Sequence, residues 1–262
     1  MKAILAVLIW AMVCFAEASA QQSILGTFSR IQIAVDEIST SMAWYVRMGF
    51  MPTKCSMDVP DSVMTLSDGQ VILTLVRASV PSPVIVFSSN NVKALYDSLL
   101  GMSIRVNADI QGPTYRDLRF TSPEGIYVLV RPEADERVVP KPAGTPNATC
   151  GELTELSLGM LRVQRERDWW VGLGFAVKRE GVDPYQFCLV SDGQIVLGMH
   201  HERDIPRLAF TYFDEAMTDR IETLRKVGVL PTEEIPNEMG VISNGIFRSP
   251  DGHSLMLFEG RQ

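Results

Sequence analysis

Histidine and cysteine are scarce in this chain, with three His and four Cys among 262 residues. No two cysteines have the C-x-x-C spacing of a zinc or thiol-redox site, so neither class is indicated. Basic charge is also in deficit: 24 Lys and Arg face 31 Asp and Glu, a formal net charge of -7. That balance argues against a nucleic-acid partner, because phosphate binding needs a basic surface. Nucleophile elbows of the form G-x-S-x-G, phosphate loops and H-E-x-x-H helices are all missing, which removes the common hydrolase, nucleotide-binding and zinc-protease signatures. Apolar runs long enough to span a bilayer are lacking too. The run from Ala3 to Ala16 falls short of the roughly 20 residues a spanning helix needs. It follows Met1-Lys2 and precedes Glu17-Ala18-Ser19-Ala20, the order of a secretory signal with a small-x-small cleavage site. Residues 1–20 are therefore expected to be removed, leaving a secreted or periplasmic product with no membrane attachment. Cys55, Cys150 and Cys188 would remain, enough for one disulfide at most, and the sequence does not choose the pair.

What the chain does have is a duplication. Trp44-Tyr45-Val46-Arg47-Met48-Gly49-Phe50 returns as Trp169-Trp170-Val171-Gly172-Leu173-Gly174-Phe175. Ser67-Asp68-Gly69-Gln70 returns as Ser191-Asp192-Gly193-Gln194, and Ser122-Pro123-Glu124-Gly125 as Ser249-Pro250-Asp251-Gly252. Blocks recurring in the same order mark a repeat architecture, and the period has to be recognised before any fold is assigned. Without its first 20 residues the chain keeps about 240, room for two domains of ordinary size.

Each copy reads as two successive β-α-β-β-β units. Ile31 to Val35 alternates as a strand does, and Met42, Tyr45 and Val46 fall at helical spacing. Short apolar runs follow, two of them flanking the Asp68-Gly69 hairpin signal. The pattern restarts at Val84 with a helix over about 92–100 and three more strands. The second copy repeats it, with strands opening at Leu153 and Leu208 and a helix over about 215–227. Between the copies, Pro132, Pro140, Pro142 and Pro146 interrupt a stretch without apolar period, the composition of a linker. The expected division is a signal at 1–20, a first domain at 27–131, a linker at 132–150 and a second domain at 151–260.

Four β-α-β-β-β units, an aromatic pair and Gly-Phe closing each copy's first helix, and a Pro-Asp/Glu-Gly turn before each last strand resemble the vicinal oxygen chelate superfamily. This is the group of glyoxalases, bleomycin-resistance proteins and extradiol dioxygenases. The resemblance runs from about residue 28 to 260. It implies an α+β fold of tandem glyoxalase-like domains, each a curled mixed sheet around a cleft. Many members hold a divalent metal in that cleft through His, Glu or Gln on the strands, and a bidentate substrate then chelates it.

Residue by residue, the metal positions of that resemblance fall in the first copy on Arg30, on a residue near Val84 and on Leu129. In the second copy they fall on Glu155, Arg207 and Met256. Only Glu155 can ligate, and a guanidinium both lacks a lone pair and repels a cation. No metal and no other cofactor is therefore expected, with a divalent metal on atypical ligands as the alternative. Among the histidines, His253 alternates to the face opposite Met256 and is expected to point outward. His200-His201-Glu202 reads as a strand end entering a solvated loop, with His200 the one that could reach a site. Arg30, Arg119 and Arg207 suit carboxylate or phosphate groups. Arg30, Glu155, Arg207, His200 and Arg119 are thus the candidate ligand-binding residues, and Glu155 could instead pair with Arg207. At least one of Trp44 and Tyr45, and at least one of Trp169 and Trp170, is expected in the core and none of the four against a ligand, while Asp68 and Asp192 are expected in turns. The function these readings favour is an exported binder of a small polar or anionic molecule. The alternatives are a metal-dependent lyase, isomerase or dioxygenase, and a protein-interaction module. Fold alone does not choose among them.

Overall fold

In each half a helix lies between an opening strand and three more, and this happens twice. The computed structural model describes residues 23–112, 114–136, 140, 149–237 and 239–261. The signal segment at 1–20 and most of the linker lie outside the described residues. The first half comprises β1 (Thr27–Ala34), α1 (Ile38–Arg47), β2 (Met51–Pro52), β3 (Val63–Ser67), β4 (Ile72–Val76), β5 (Val84–Ser89), α2 (Val92–Gly101), β6 (Asn107–Gln111), β7 (Thr114–Thr121) and β8 (Tyr127–Pro132). A short α3 (Glu133–Glu136) follows. The second half comprises β9 (Glu152–Gly159), α4 (Val163–Gly172), β10 (Ala176–Gly181), β11 (Phe187–Ser191), β12 (Val196–His200), β13 (Ala209–Asp214), α5 (Met217–Lys226), β14 (Glu233–Pro236), β15 (Ile242–Arg248) and β16 (Ser254–Glu259).

The strands form two eight-stranded mixed sheets with the same order, β2-β3-β4-β1-β5-β8-β7-β6 and β10-β11-β12-β9-β13-β16-β15-β14. In each sheet the two units meet where their opening strands pair antiparallel, β1 with β5 and β9 with β13. Each meeting line carries a β-bulge, which places an extra residue at Ser29 in one half and at Thr154 in the other. A bulge turns the side chains beside it, and here it sits next to Arg30 and Glu155.

Alternation in the strands sends one face to the helices and the other to the concave side. Ile31, Ile33, Leu73, Leu75, Ile85 and Phe87 are buried on the helical side. The apolar core does not divide between the halves: one cluster of buried side chains extends from Leu25 through Leu257. Aromatic pairs cross the boundary, Phe50 with Phe210 and Phe87 with Phe175, each at 6.4 Å between ring centres. Gly49 and Gly174, both at positive φ, let the chain leave its helix so that the following Phe reaches the other half.

The recurring turns have a second role. Asp68 Oδ1 accepts from the Gln70 and Val71 N–H groups, and Asp192 Oδ1 from those of Gln194 and Ile195, so both aspartates organise turns. Each following glutamine then reaches across. Gln70 accepts from the Leu153 N–H and donates to the Gly151 carbonyl, while Gln194 accepts from Phe28 and donates to Gly26. Each side chain thus satisfies two backbone groups at the start of the other half's first strand. The Ser-Pro-acid-Gly turns also join the halves: Ser41 on α1 donates to Asp251, and Glu166 on α4 accepts from the Glu124 N–H. His253 faces this junction, with Nε2 3.4 Å from Ser82 Oγ. It is half-buried between the halves, whereas it was expected to point outward.

Candidate functional site

The cross-strand register fixes which residues stand in line on each concave face. In the first half Arg30 pairs with Val86, Val86 with Leu129, Leu129 with Arg119, and Arg119 with Asn107. In the second, Glu155 pairs with Thr211, Thr211 with Met256, and Met256 with Ile246. This identifies the residue near Val84 as Val86 and corrects one position: Thr211 replaces Arg207, which precedes β13 altogether. The opening strands of the second units carry no fixed motif nearby, so their register could not be counted from a landmark.

Neither row suits a metal. Arg30, Val86 and Leu129 offer a guanidinium and two hydrocarbons. Glu155, Thr211 and Met256 offer one carboxylate, a hydroxyl and a thioether, whereas a divalent ion needs several convergent charged or imidazole donors. Among the described residues there is no group of three or more His, Cys, Asp or Glu that could hold one.

In the second half Glu155 is buried, and its Oε1 is 2.7 Å from His200 Nε2. Ser157 donates to the same oxygen and is itself 2.6 Å from Thr211 Oγ1. Gly198 makes room for the pair, since a Cβ there would overlap the Glu155 carboxylate. The ring of Phe187 stacks near His200 at 6.4 Å, and Tyr185 meets it edge-on at 5.8 Å. Burial, then the Glu155 and Glu202 charges, push the Tyr185 hydroxyl above its usual range. His200 is therefore buried at the end of β12, not in a solvated loop, and Glu155 pairs with His200 and not with Arg207.

The first half holds a large opening. A cleft of about 910 Å³ runs from the concave face over the end of the sheet to α4; ligand pockets commonly measure about 300–1,000 Å³. Five arginines line it, Arg30, Arg105, Arg119, Arg131 and Arg165, against one carboxylate, Asp117. The bulge brings Ser29 and Arg30 together on Glu136 of α3. Ser29 Oγ donates to that carboxylate at 2.6 Å, Arg30 pairs with it, and Arg131 reaches it at 3.1 Å. Asp117 takes Arg119 at 2.7 Å and Arg131 at 3.1 Å. Burial, then the neighbouring Arg131 charge, lower the Arg30 guanidinium to about 10, so it stays a cation at neutral pH. Arg105 and Arg165 are exposed and, among the described residues, have no ion-pair partner.

The sequence candidates thus separate. Arg30 and Arg119 line the first-half cleft, Glu155 and His200 meet in the second half, and Arg207 lies between, its guanidinium 5.7 Å from the Tyr127 ring centre. The cleft residues that escaped the sequence reading include Arg105, Asp117, Arg131, Arg165 and Trp169. Arg105 and Arg165 lie outside the strand rows, and Trp169 lines the cleft although no ligand contact was expected of it. Its partner Trp170 is fully buried, as are Tyr45 and nearly all of Trp44.

Solved structures with this architecture include the Mn(II)-bound glyoxalase from Novosphingobium aromaticivorans, at a TM-score of 0.64 and 17% identity over 90% of this chain and 82% of that one. The 2,3-dioxygenase LapB from Pseudomonas sp. KL28 superposes at 0.62 with 13% identity over 92% and 94%. Homoprotocatechuate 2,3-dioxygenase from Arthrobacter globiformis gives 0.61 with 14% identity over 92% and 81%. The chain has the fold of the glyoxalases and extradiol dioxygenases. Sequence comparison alone finds neither a matching family model nor a matching curated protein.

Proposed function

We propose that this chain is an exported glyoxalase/bleomycin-resistance-like binder that works without the superfamily's metal and holds a small anionic organic molecule in its first-half cleft. Export rests on the pattern of residues 1–20. The reading of ligand charge is carried by one observation: in a protein of net charge -7, the cleft is lined by five arginines and one aspartate. A local excess of guanidinium groups draws anions from solution and grips carboxylate or phosphate through paired N–H donors.

Metal analysis by plasma mass spectrometry tests the metal-free part, on protein purified without chelator and again after incubation with zinc, nickel, manganese and iron(II). Substoichiometric metal in every sample is expected. A tightly held equivalent would overturn this part and turn attention to an enzyme built on Glu155 and His200. A thermal-shift panel of organic acids and their neutral amides tests the rest, with stabilisation expected from acids alone.

A further inference from the structure

We infer that the cleft takes an amphipathic oxyanion, and that the two halves complete the site together: Arg105 and Arg165 hold the acid group at the mouth while Trp169 and Tyr127 flank an aromatic body. The inference rests on the anion-binding reading above and specifies its chemistry.

The five cleft arginines are not equivalent. Arg30, Arg119 and Arg131 are already met by Glu136 and Asp117. A ligand anion approaching them meets guanidinium groups whose charge a neighbouring carboxylate already offsets. Arg105 and Arg165 carry no such partner among the described residues, so their donors are free to meet an incoming oxyanion. Arg105 follows α2 in the first half, and Arg165 stands on α4 in the second. Packing brings these elements together: Met102 at the end of α2 lies over Gly172 of α4, where an added Cβ would stand 3.5 Å from its Cε.

The walls between them are aromatic and held in place. Trp169 lies one helical turn beyond Arg165 on the same face of α4. Its ring is packed against Phe120 at 6.1 Å and against Trp170 at 5.0 Å, and it remains half-buried at the cleft. Tyr127 stands at the start of β8 beneath the Arg207 guanidinium. Val84 and Leu129 supply the aliphatic floor. A rigid apolar slot with unpaired cations at its mouth favours a flat body bearing one acid group, and a small inorganic anion would leave the slot unfilled.

Calorimetric titration of the full chain with 2-naphthoate, 2-naphthyl phosphate, neutral 2-naphthamide and inorganic phosphate tests this. Tryptophan fluorescence is followed in parallel. One or both naphthyl acids are expected to bind and quench, and which one binds separates a carboxylate from a phosphate ligand. The amide and inorganic phosphate should bind at least about tenfold more weakly. Arg105→Gln and Arg165→Gln should each weaken the acid about tenfold or more. Arg116→Gln, an exposed arginine outside the cleft, should leave binding unchanged, and Trp169→Phe should remove most of the quench. Acid binding that ignores Arg105→Gln and Arg165→Gln but is lost in Arg119→Gln would overturn the shared mouth and leave the anion-binding reading standing. Amide binding equal to that of the acids would overturn the oxyanion itself. No binding of any probe at millimolar concentration would overturn both readings.

Discussion

Arg30 and Glu155 occupy the same place in the two halves, one residue past a β-bulge, and each is buried against a partner from its own half. Arg30 meets Glu136, and Glu155 meets His200. The duplication has kept a concave position that buries a charge while reversing its sign. Two such positions do not serve one shared chemistry: the cationic one opens onto a large cleft, and the anionic one is enclosed by Ser157, Thr211 and His200.

Removing Glu136 should expose the cost of the first arrangement. Glu136→Ala leaves the Arg30 guanidinium buried without its carboxylate, and breaking a buried pair from one side typically costs about 3–5 kcal/mol. Urea unfolding should show a loss of that order. Arg30→Met combined with Glu136→Ala should recover much of it, because the stranded charge is gone. A double variant no more stable than Glu136→Ala would place the stabilising role of Glu136 on Arg131 instead.

Gly198→Ala tests the second arrangement. A methyl group at that position occupies the space of the Glu155 carboxylate, so Glu155 must swing away from His200 or the strands must part. Overpacking of this kind costs about 1–3 kcal/mol. The imidazole signals of His200 should shift in the NMR spectrum while those of His253 stay put. Unchanged His200 signals would show that the carboxylate contact does not govern the ring's environment.

The repeat blocks made the fold legible because each carries a strong local signal: a Gly after a helix, an Asp-Gly hairpin, a Pro before a turn. What those blocks do beyond their own turns was not legible. Nothing local in Ser67-Asp68-Gly69-Gln70 announces that Gln70 bonds a strand more than eighty residues later. Glu136 was missed for a related reason. It belongs to an acidic turn, Glu133-Ala134-Asp135-Glu136, inside a stretch whose prolines read as linker, and only the folded chain brings it to Arg30. A run of three acids in a chain whose candidate site residues include three arginines was the available clue. Arg105 and Arg165 were hidden because the resemblance directs attention to strand residues, whereas the mouth is built from a loop and a helix.

The two bridging glutamines make the same pair of bonds but should differ in weight. Gln70→Ala and Gln194→Ala each strand one backbone N–H and one carbonyl at the junction, with an expected loss of about 1–3 kcal/mol apiece. The Gln70 junction is the more buried, so its variant should lie nearer the upper figure. Water can replace part of what Gln194 provides. Equilibrium unfolding of both single variants checks the order, and a larger loss at Gln194 would reverse the assignment.

Acid should loosen the junction through His253. Burial lowers its pKa, outweighing the Ala34 backbone contact and the Asp251 charge, which favour the protonated ring. A histidine with a depressed folded pKa resists a proton that the unfolded chain accepts from about pH 6.5 downward. Between that value and the folded pKa the unfolded state binds more protons, so stability falls as the pH falls. Burial raises the Asp68, Asp192 and Glu166 carboxyls, and these act in the opposite direction, since their protonated forms are favoured in the fold. They are present in both wild type and His253→Gln, so the difference between the two proteins isolates the histidine. Urea midpoints at pH 7.5 and 5.5 should drop further for the wild type than for His253→Gln. Equal drops would mean that the ring titrates alike folded and unfolded, and that the junction is indifferent to its charge.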